Sequence, residues 1–491
     1  MLDRDSCYRA LLTRDVRFDG RFFTAVTSTG IYCRPVCPAR PPKIEHCVFM
    51  PSAAAAQAAG FRPCLRCRPE AAPELAVWRG TSNTVARALR LIDEGALDDG
   101  NVEDLAGRLG VGGRHLRRLF DHHLGASPIV VAQTRRLLFA KSLIADTILP
   151  MTEVAMAAGY QSLRRFNDAM RRNWDRPPSA LRREPKETQV LTTGVTLRLP
   201  FQAPFDWALL LGFIGPRAIP GVERVEGDIY RRTIALDGRH GAVEVRPIAG
   251  QNCLAATIRF PVVAALGTIV GRLKRQFDLD ADVAAIDAQL AEDPVLAPLI
   301  AARPGLRVPG TWDPFELAIR AILGQQISVA AATNLAGRTA ALYGEPLKLE
   351  DGGSAPDGLT HVFPTPAQLI AADPGLLRVP RSRAATIAGI AAAVAATPEL
   401  LKPLRPLDEA VEGLCRLPGI GPWTAHYIAM RALREPDAFP SGDLGLRKAA
   451  ATEEAGVPSI KALEARSQAW RPWRAYAAIH LWFSLSRTQG G

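Results

Sequence analysis

The sequence predicts a multidomain α+β protein in four parts. These are a small zinc domain, an all-α domain with tandem helix-turn-helix units, an antiparallel β-rich subdomain and an all-α C-terminal domain containing a helix-hairpin-helix. Three observations lead there. A chain of 491 residues is too long for one core. Six of its eight Cys fall within the first 78 residues. The apolar period also changes along the chain, from helical to alternating between Thr192 and Phe260, then back to helical. The expected segments are 1–78, 79–187, 188–300 and 301–491, with short polar linkers at Ala76–Asn83 and Lys186–Leu191.

A formal charge of +11 and a pI near 9.5 favour a polyanionic partner. Residues 1–185 hold 28 Lys+Arg against 19 Asp+Glu (+9), and the rest hold 32 against 30 (+2), so the excess sits in the first two segments. A hydrophobic content of 48% is that of globular domains. The start Met-Leu-Asp-Arg-Asp-Ser lacks the basic head and apolar core of a signal peptide. No apolar run approaches the ~20 residues of a membrane span. A cytoplasmic protein with no membrane partner is expected, and its Cys are then not a disulfide framework.

The first segment holds Cys33-x3-Cys37 and, after a gap of 26 residues, Cys64-x2-Cys67. Two short thiolate pairs on separate loops give a tetrahedral Zn²⁺ site, which supplies folding energy to a small Pro-rich domain. On spacing alone a plain zinc clamp explains the set. Cys7 and Cys47 fit no second ligand rule and read as ordinary thiols. The wording Thr29-Gly30-Ile31-Tyr32-Cys33-Arg34-Pro35-Val36-Cys37, followed by Arg62-Pro63-Cys64-Leu65-Arg66-Cys67, resembles the N-terminal domain of the Ada family. The resemblance implies Zn²⁺ on Cys33, Cys37, Cys64 and Cys67. It also implies that Cys33 accepts a methyl group from a DNA phosphotriester. Methylation would take such a site from a net charge near −2 to about −1. Beside DNA phosphates that is worth on the order of 1–4 kcal/mol.

The second segment is helical and Arg-rich. Leu105-Ala106-x2-Leu109-Gly110-Val111, then His115-Leu116-x2-Leu119-Phe120, reads as helix, Gly turn, helix. Val154-Ala155-x2-Ala158-Gly159-Tyr160, then Leu163-x2-Phe166, repeats it. A basic solvated bundle is the plainer alternative. Solvent-side Arg114, Arg117, Arg118, Arg164 and Arg165 are placed to reach phosphates or base edges. The repeat resembles the tandem helix-turn-helix domain of AraC-type regulators. This implies promoter sites in double-stranded DNA and RNA polymerase as partners. Gly112-Gly113 replaces the usual Ser/Thr-containing start and weakens the first recognition helix.

In the third segment, Val195–Leu199, Ile229–Ile234, Ala242–Arg246 and Leu254–Ile258 alternate between Gly/Pro/Asp turns. They predict an antiparallel sheet of structural role, with a helix near Phe205–Leu211.

In the fourth segment a helix stops at Pro418-Gly419, turns through Gly421 and restarts at Pro422, where a missing N–H is harmless. The glycines admit positive φ and close backbone approach, and the new helix offers free N–H groups to a phosphate. A lone carboxylate, Asp443, follows in a Gly/Ser/Pro-rich loop. Trp423 and Tyr427 are four apart on one helix face. Upstream, the helix through Arg320 runs into a polar kink at Gly324-Gln325-Gln326.

These features, with the ending Trp470-x2-Trp473-Arg474-x-Tyr476-Ala477-x2-His480-Leu481-Trp482, resemble the helix-hairpin-helix DNA glycosylase superfamily. Residues 190–488 as a whole resemble its AlkA-type 3-methyladenine glycosylases. The resemblance implies base flipping, at a cost of a few kcal/mol. It implies a phosphate held by the amides of Gly419 and Gly421, where members often place a monovalent cation. Trp423, Tyr427 and Trp482 would form an aromatic pocket, in which a cationic alkylated base gains roughly 1–2 kcal/mol over an indole. Gln326, beside Gln325, takes the place of the apolar wedge that fills the gap left in the duplex. Asp443 would stabilise positive charge on the sugar by roughly 4 kcal/mol at about 4 Å and an effective dielectric near 20. Members that also cleave the strand carry Lys where Trp423 stands, so a glycosylase without lyase activity is expected. Against this stand core packing for each aromatic and a helix N-cap for Asp443.

Two readings from different classes remain. One is a monomeric fusion of damage sensor, regulator and repair enzyme. The other is a transcription regulator whose glycosylase half is a non-catalytic DNA-binding module. Asp443 together with the aromatics favours the first. No Pro-Cys-His-Arg run occurs, so an O⁶-alkylguanine methyltransferase is not expected.

Overall fold

The computed structural model describes residues 3–73, 83–182, 194–350, 352–451 and 456–485. Of the expected linker Ala76–Asn83 only Asn83 is described, and it opens a helix; Lys186–Leu191 lies outside the described residues. The chain divides into two compact units: residues 1–203, 245–274 and 279–282, and residues 204–244, 275–278 and 283–491. The boundary expected at 300/301 falls inside the helix Leu296–Ala302. Alternation in a sequence marks strands, but it does not say which neighbours they pack against. No helix among the described residues is long and apolar enough to cross a membrane.

After helix Arg4–Thr13, the first unit forms strands β1 (Phe23–Val26), β2 (Ile31–Cys33), β3 (Cys47–Met50) and β4 (Arg62–Pro63), in the sheet order β3–β1–β2–β4. β2 runs parallel to β4 with Tyr32 opposite Pro63, which sets Cys33 beside Cys64. Phe23, Ala25 and Tyr32 pack on Ala53 and Ala56 of the helix Ala53–Ala58. So small an apolar core leaves room for a metal to matter.

Six helices follow, at Asn83–Asp93, Val102–Arg108, Gly113–Leu124, Pro128–Asp146, Met151–Ala157 and Leu163–Trp174. Both helix-turn-helix copies are present. Leu116, Phe120 and Leu124 on one recognition helix, and Phe166, Met170 and Trp174 on the other, are buried at every fourth position. The two starts differ. Ser162 accepts from the Arg165 N–H at 3.5 Å, whereas Gly112 offers no side-chain cap. Such a cap is worth about 1 kcal/mol.

Five more strands follow, β5 at Val195–Pro200, β6 at Glu223–Glu226, β7 at Ile229–Leu236, β8 at Arg239–Pro247 and β9 at Cys253–Arg259. β5 pairs antiparallel with β9 in the first unit, and β6 with β7 in the second; the unit boundary runs through β8.

The second unit is otherwise helical. Helix Trp207–Ile214 begins two residues later than expected because Asp206 caps it, accepting from the Leu209 N–H at 2.8 Å. At the centre lies helix Pro314–Leu323, packed on helices Arg381–Ala396 and Pro422–Arg431. Phe315, Ile319, Ile322, Ile390, Leu414 and Ile428 fill that core, each contributing about 1.5–3 kcal/mol. Within it Arg232 donates to Glu316 at 2.7 Å, both side chains fully buried. Removing one partner of such a pair costs about 3–5 kcal/mol.

Candidate functional site

The hairpin joins helix Leu407–Cys415 to helix Pro422–Arg431. Ile420 is buried and anchors the turn, while Pro418, Gly419, Gly421 and Pro422 are exposed. Only Gly419 needs its glycine. Its φ is +85°, and a Cβ there would lie 1.9 Å from Thr386 Oγ1. Gly421 is instead extended (φ −90°), with open space around it, and serves as N-cap; the turn does not reach positive φ at Gly421. The amide N–H groups of both glycines have no protein partner among the described residues.

Gln325, half-buried, reaches across to the hairpin. Its amide nitrogen donates to Gly419 O at 3.0 Å and Thr424 Oγ1 at 3.1 Å, bracing the hairpin from the polar kink. Gln326, in the left-handed region at φ +59°, is exposed. Exposed Ile327 follows it and lines the adjoining cavity, a residue that sequence reasoning missed.

Asp443 takes the N-cap position that the sequence allowed for it, and it faces the aromatics as well. It caps helix Leu444–Ala449, Oδ1 accepting from the Leu446 N–H at 2.9 Å. It also accepts indole N–H groups from Trp423 on Oδ2 at 2.9 Å and from Trp482 on Oδ1 at 3.0 Å. Trp423 stacks on Tyr427 (centroids 5.4 Å, 12°), and Tyr427 meets Trp482 edge-on at 6.3 Å. The two indoles thus bracket the carboxylate, Tyr427 packs against both of them, and all three rings are half-buried. Together they line a cavity of about 460 Å³.

The same cavity is lined by Phe213, Arg217, Arg320 and Arg431, none of which the sequence singled out. Tyr427-x3-Arg431 was findable as a helical pair. Phe213 and Arg217 come from some 200 residues upstream and carried no signal. Arg431 donates to the Tyr427 hydroxyl at 2.6 Å. Burial alone raises the Tyr427 phenol, but Arg431 and Arg217 outweigh it and hold it below 10.0. Burial, with Arg431 and Arg320 adding like charge, lowers Arg217 against the pull of Tyr427.

In the first unit the sulfurs of Cys33, Cys37, Cys64 and Cys67 all lie within 4.8 Å of one another. Four thiolates about 2.3 Å from a tetrahedral Zn²⁺ stand roughly 3.8 Å apart, so the set fits that ion. Backbone N–H groups of Arg34 and Arg66 donate to the sulfurs of Cys67 and Cys64, at 3.3 and 3.4 Å, as they would to thiolates. Cys33 alone is not buried, and it lines a cavity with Arg40, Arg62, Arg66 and Arg176. Arg114, Arg117, Arg118, Arg164 and Arg165 are all exposed, although Arg117 is paired with Glu103 at 2.7 Å.

Three family models match in chain order: the metal binding domain of Ada over residues 6–70, a helix-turn-helix domain over 105–184, and the AlkA N-terminal domain over 196–313. The chain is 35% identical over 292 residues to DNA-3-methyladenine glycosylase 2 of Escherichia coli, covering 58% of this chain and 96% of that protein. A 3-methyladenine DNA glycosylase structure from Archaeoglobus fulgidus matches at TM-score 0.51 and 25% identity, over 58% of this chain and 96% of that one. A Mycobacterium tuberculosis protein named "Probable bifunctional transcriptional activator/DNA repair enzyme AlkA" is 44% identical over 489 residues, 98% of this chain and 97% of its own length. A relationship running through metal site, helix-turn-helix and glycosylase-like half at once leaves no part of the chain outside it, and the chain belongs to the family of bifunctional transcriptional activator/DNA repair enzymes of AlkA type.

Proposed function

We propose that the protein repairs and senses DNA alkylation: it hydrolyses the N-glycosidic bond of alkylated bases such as 3-methyladenine, and it takes methyl groups from phosphotriesters onto Cys33. The observation that carries the first activity is Asp443, held by the indole N–H groups of Trp423 and Trp482 at the wall of an aromatic cavity. An alkylated base is already a good leaving group. What the site must supply is a fixed negative charge against the sugar as the bond breaks, and Asp443 supplies it. It also orients the attacking water. Trp423, Tyr427 and Trp482 receive the base. The amides of Gly419 and Gly421 hold the backbone, with a monovalent cation at the hairpin, while Gln326 enters the gap in the duplex. An indole at position 423 cannot form a Schiff base, so strand cleavage is absent. Release of free 3-methyladenine from alkylated DNA tests this. Asp443→Asn should lower it by about 10²–10³-fold. Background release by both proteins would leave the regulator reading.

In the first unit Cys33, Cys37, Cys64 and Cys67 would hold zinc, which keeps their sulfurs ionised at neutral pH. The Cys33 sulfur attacks the methyl carbon of the triester; the C–O electron pair returns to the phosphate and a diester remains. Its partial exposure and the four surrounding arginines support this choice. The lost negative charge then tightens DNA binding through the helix-turn-helix arginines at promoter sites, with RNA polymerase as protein partner. We place the domain boundaries near 78, 187 and 300. A monomer working in the cytoplasm completes the proposal. Mass spectrometry after incubation with methylated DNA should find one methyl group, on Cys33. An unmodified Cys33 reduces the site to a zinc clamp.

A further inference from the structure

We propose that the helix-turn-helix domain completes the methyl-acceptor site: Arg176, just past the second recognition helix, holds the phosphate from which Cys33 takes the methyl group. This rests on the methyl-transfer reading above and deepens it. The cavity lined by Cys33 measures about 530 Å³, and Asn173, Trp174, Asp175 and Arg176 line it as well. They end helix Leu163–Trp174, which packs on β4, the strand that leads into Cys64. Trp174 is buried, Asp175 closes the helix in the left-handed region at φ +56°, and Arg176 follows it, exposed.

Polar bonds hold the two domains in this arrangement at three points. Ser52 Oγ donates to Leu124 O at 2.6 Å, Thr134 Oγ1 to Gln57 Oε1 at 3.0 Å, and Arg68 to Asp146 at 3.1 Å. Gln57 in turn donates to the hydroxyl of Tyr32, the residue before Cys33, at 2.9 Å. Paired polar groups of this kind fix geometry. The fold, not a free linker, therefore sets Arg176 beside the cavity of Cys33.

Pairing separates the arginines of this cavity. Arg62 is matched by Asp175 at 3.6 Å. The guanidinium groups of Arg40, Arg66 and Arg176 have no hydrogen-bond or ion-pair partner among the described residues. Arg40 and Arg66 come from the zinc domain; Arg176 is the cation that the neighbouring domain adds.

The reaction creates the charge that such a group binds. A phosphotriester is neutral. As the Cys33 sulfur attacks the methyl carbon, the C–O bond breaks, its electron pair stays on oxygen, and an anionic diester is left. A guanidinium fork matches two phosphate oxygens and so favours the transition state over the neutral triester. Asp175 acts the other way: it opposes the new negative charge and occupies Arg62.

A duplex oligonucleotide carrying one methyl phosphotriester tests this with the full zinc-loaded chain, by mass spectrometry of Cys33 against time at saturating duplex. Arg176→Ala should lower the saturating rate about 10–100-fold, and Arg176→Lys, which keeps the charge without the fork, should fall between. Asp175→Asn should raise the rate about threefold, a gain that a damaged fold cannot give. Binding of unmodified duplex, the product with its diester anion, gives a second readout. Arg176→Ala should reduce the log–log salt slope of that binding by about one. A reduced slope with an unchanged saturating rate would make Arg176 a DNA anchor only and overturn the proposal, as would no change in either. Absence of methyl from Cys33 in the unsubstituted chain would sink the methyl-transfer reading and this proposal together.

Discussion

The indole N–H of Trp423 donates to Asp443 Oδ2 at 2.9 Å across 20 residues of chain. The ring that stacks on Tyr427 therefore also aims the carboxylate. Trp423→Phe keeps the stacking surface and removes only the donor. A hydrogen bond to a charged group is worth about 1.5–3 kcal/mol, so kcat should fall roughly 10–100-fold while KM changes little. A rise in KM at constant kcat would show that Trp423 only binds the base.

Gly419 and Gly421 look alike in the sequence but differ in the fold. Gly419→Ala imposes a positive-φ strain of about 1–3 kcal/mol and drives a methyl group into Thr386, so hairpin and hydroxyl must separate. DNA binding and melting temperature should both drop. Gly421→Ala meets open space at an ordinary φ, and its melting temperature should stay within a few degrees. Matching losses in the two variants would contradict this division.

That contrast shows what could be read in advance. Leu417–Gly421, Trp423, Tyr427 and Asp443 lie within one stretch of chain, so turn chemistry and helical spacing expose them. The four Cys are legible because ligand spacing is local within each pair. Long-range geometry is not legible. Spacing read Gln325 as a DNA contact but gave no sign of its hydrogen bond to Gly419 O, 94 residues away in the chain. Phe213 and Arg217 enter the cavity only through tertiary packing. The strand pattern of the third segment was visible, but not the way its strands divide between two compact units.

Metal removal should act on one unit. Four thiolates within 4.8 Å of one another repel unless a cation sits between them, and the core behind them is small. The purified chain should contain one zinc. A strong chelator, or Cys64→Ala, should lower the first unfolding transition and abolish Cys33 methylation, while 3-methyladenine release from the second unit persists. Metal analysis with calorimetry checks this, and a metal-free chain with an unchanged first transition would contradict it.

His426 should give the second unit an acid-sensitive stability. Its Nδ1 accepts the Phe439 N–H at 3.3 Å, tying the loop that leads to Asp443 onto the helix that carries Trp423. Burial holds the imidazole below its ordinary 6.5; Arg474 adds to this, while Glu464, Asp408 and Asp437 oppose it. With the folded pKa depressed, the unfolded chain takes up the proton first as pH falls. The contribution is therefore full above 6.5 and is lost as pH drops from there through the folded value, at no more than about 1.4 kcal/mol per pH unit. Protonation also removes the lone pair that Phe439 uses, so kcat should decline in the same window as the Asp443 loop loosens. Urea melts between pH 5 and 8 should show this slope in the unsubstituted protein and a flatter one in His426→Gln, whose amide oxygen still accepts but does not titrate. Parallel slopes for the two proteins would remove His426 from the account and leave the loop held by Asp443 and its two tryptophans alone.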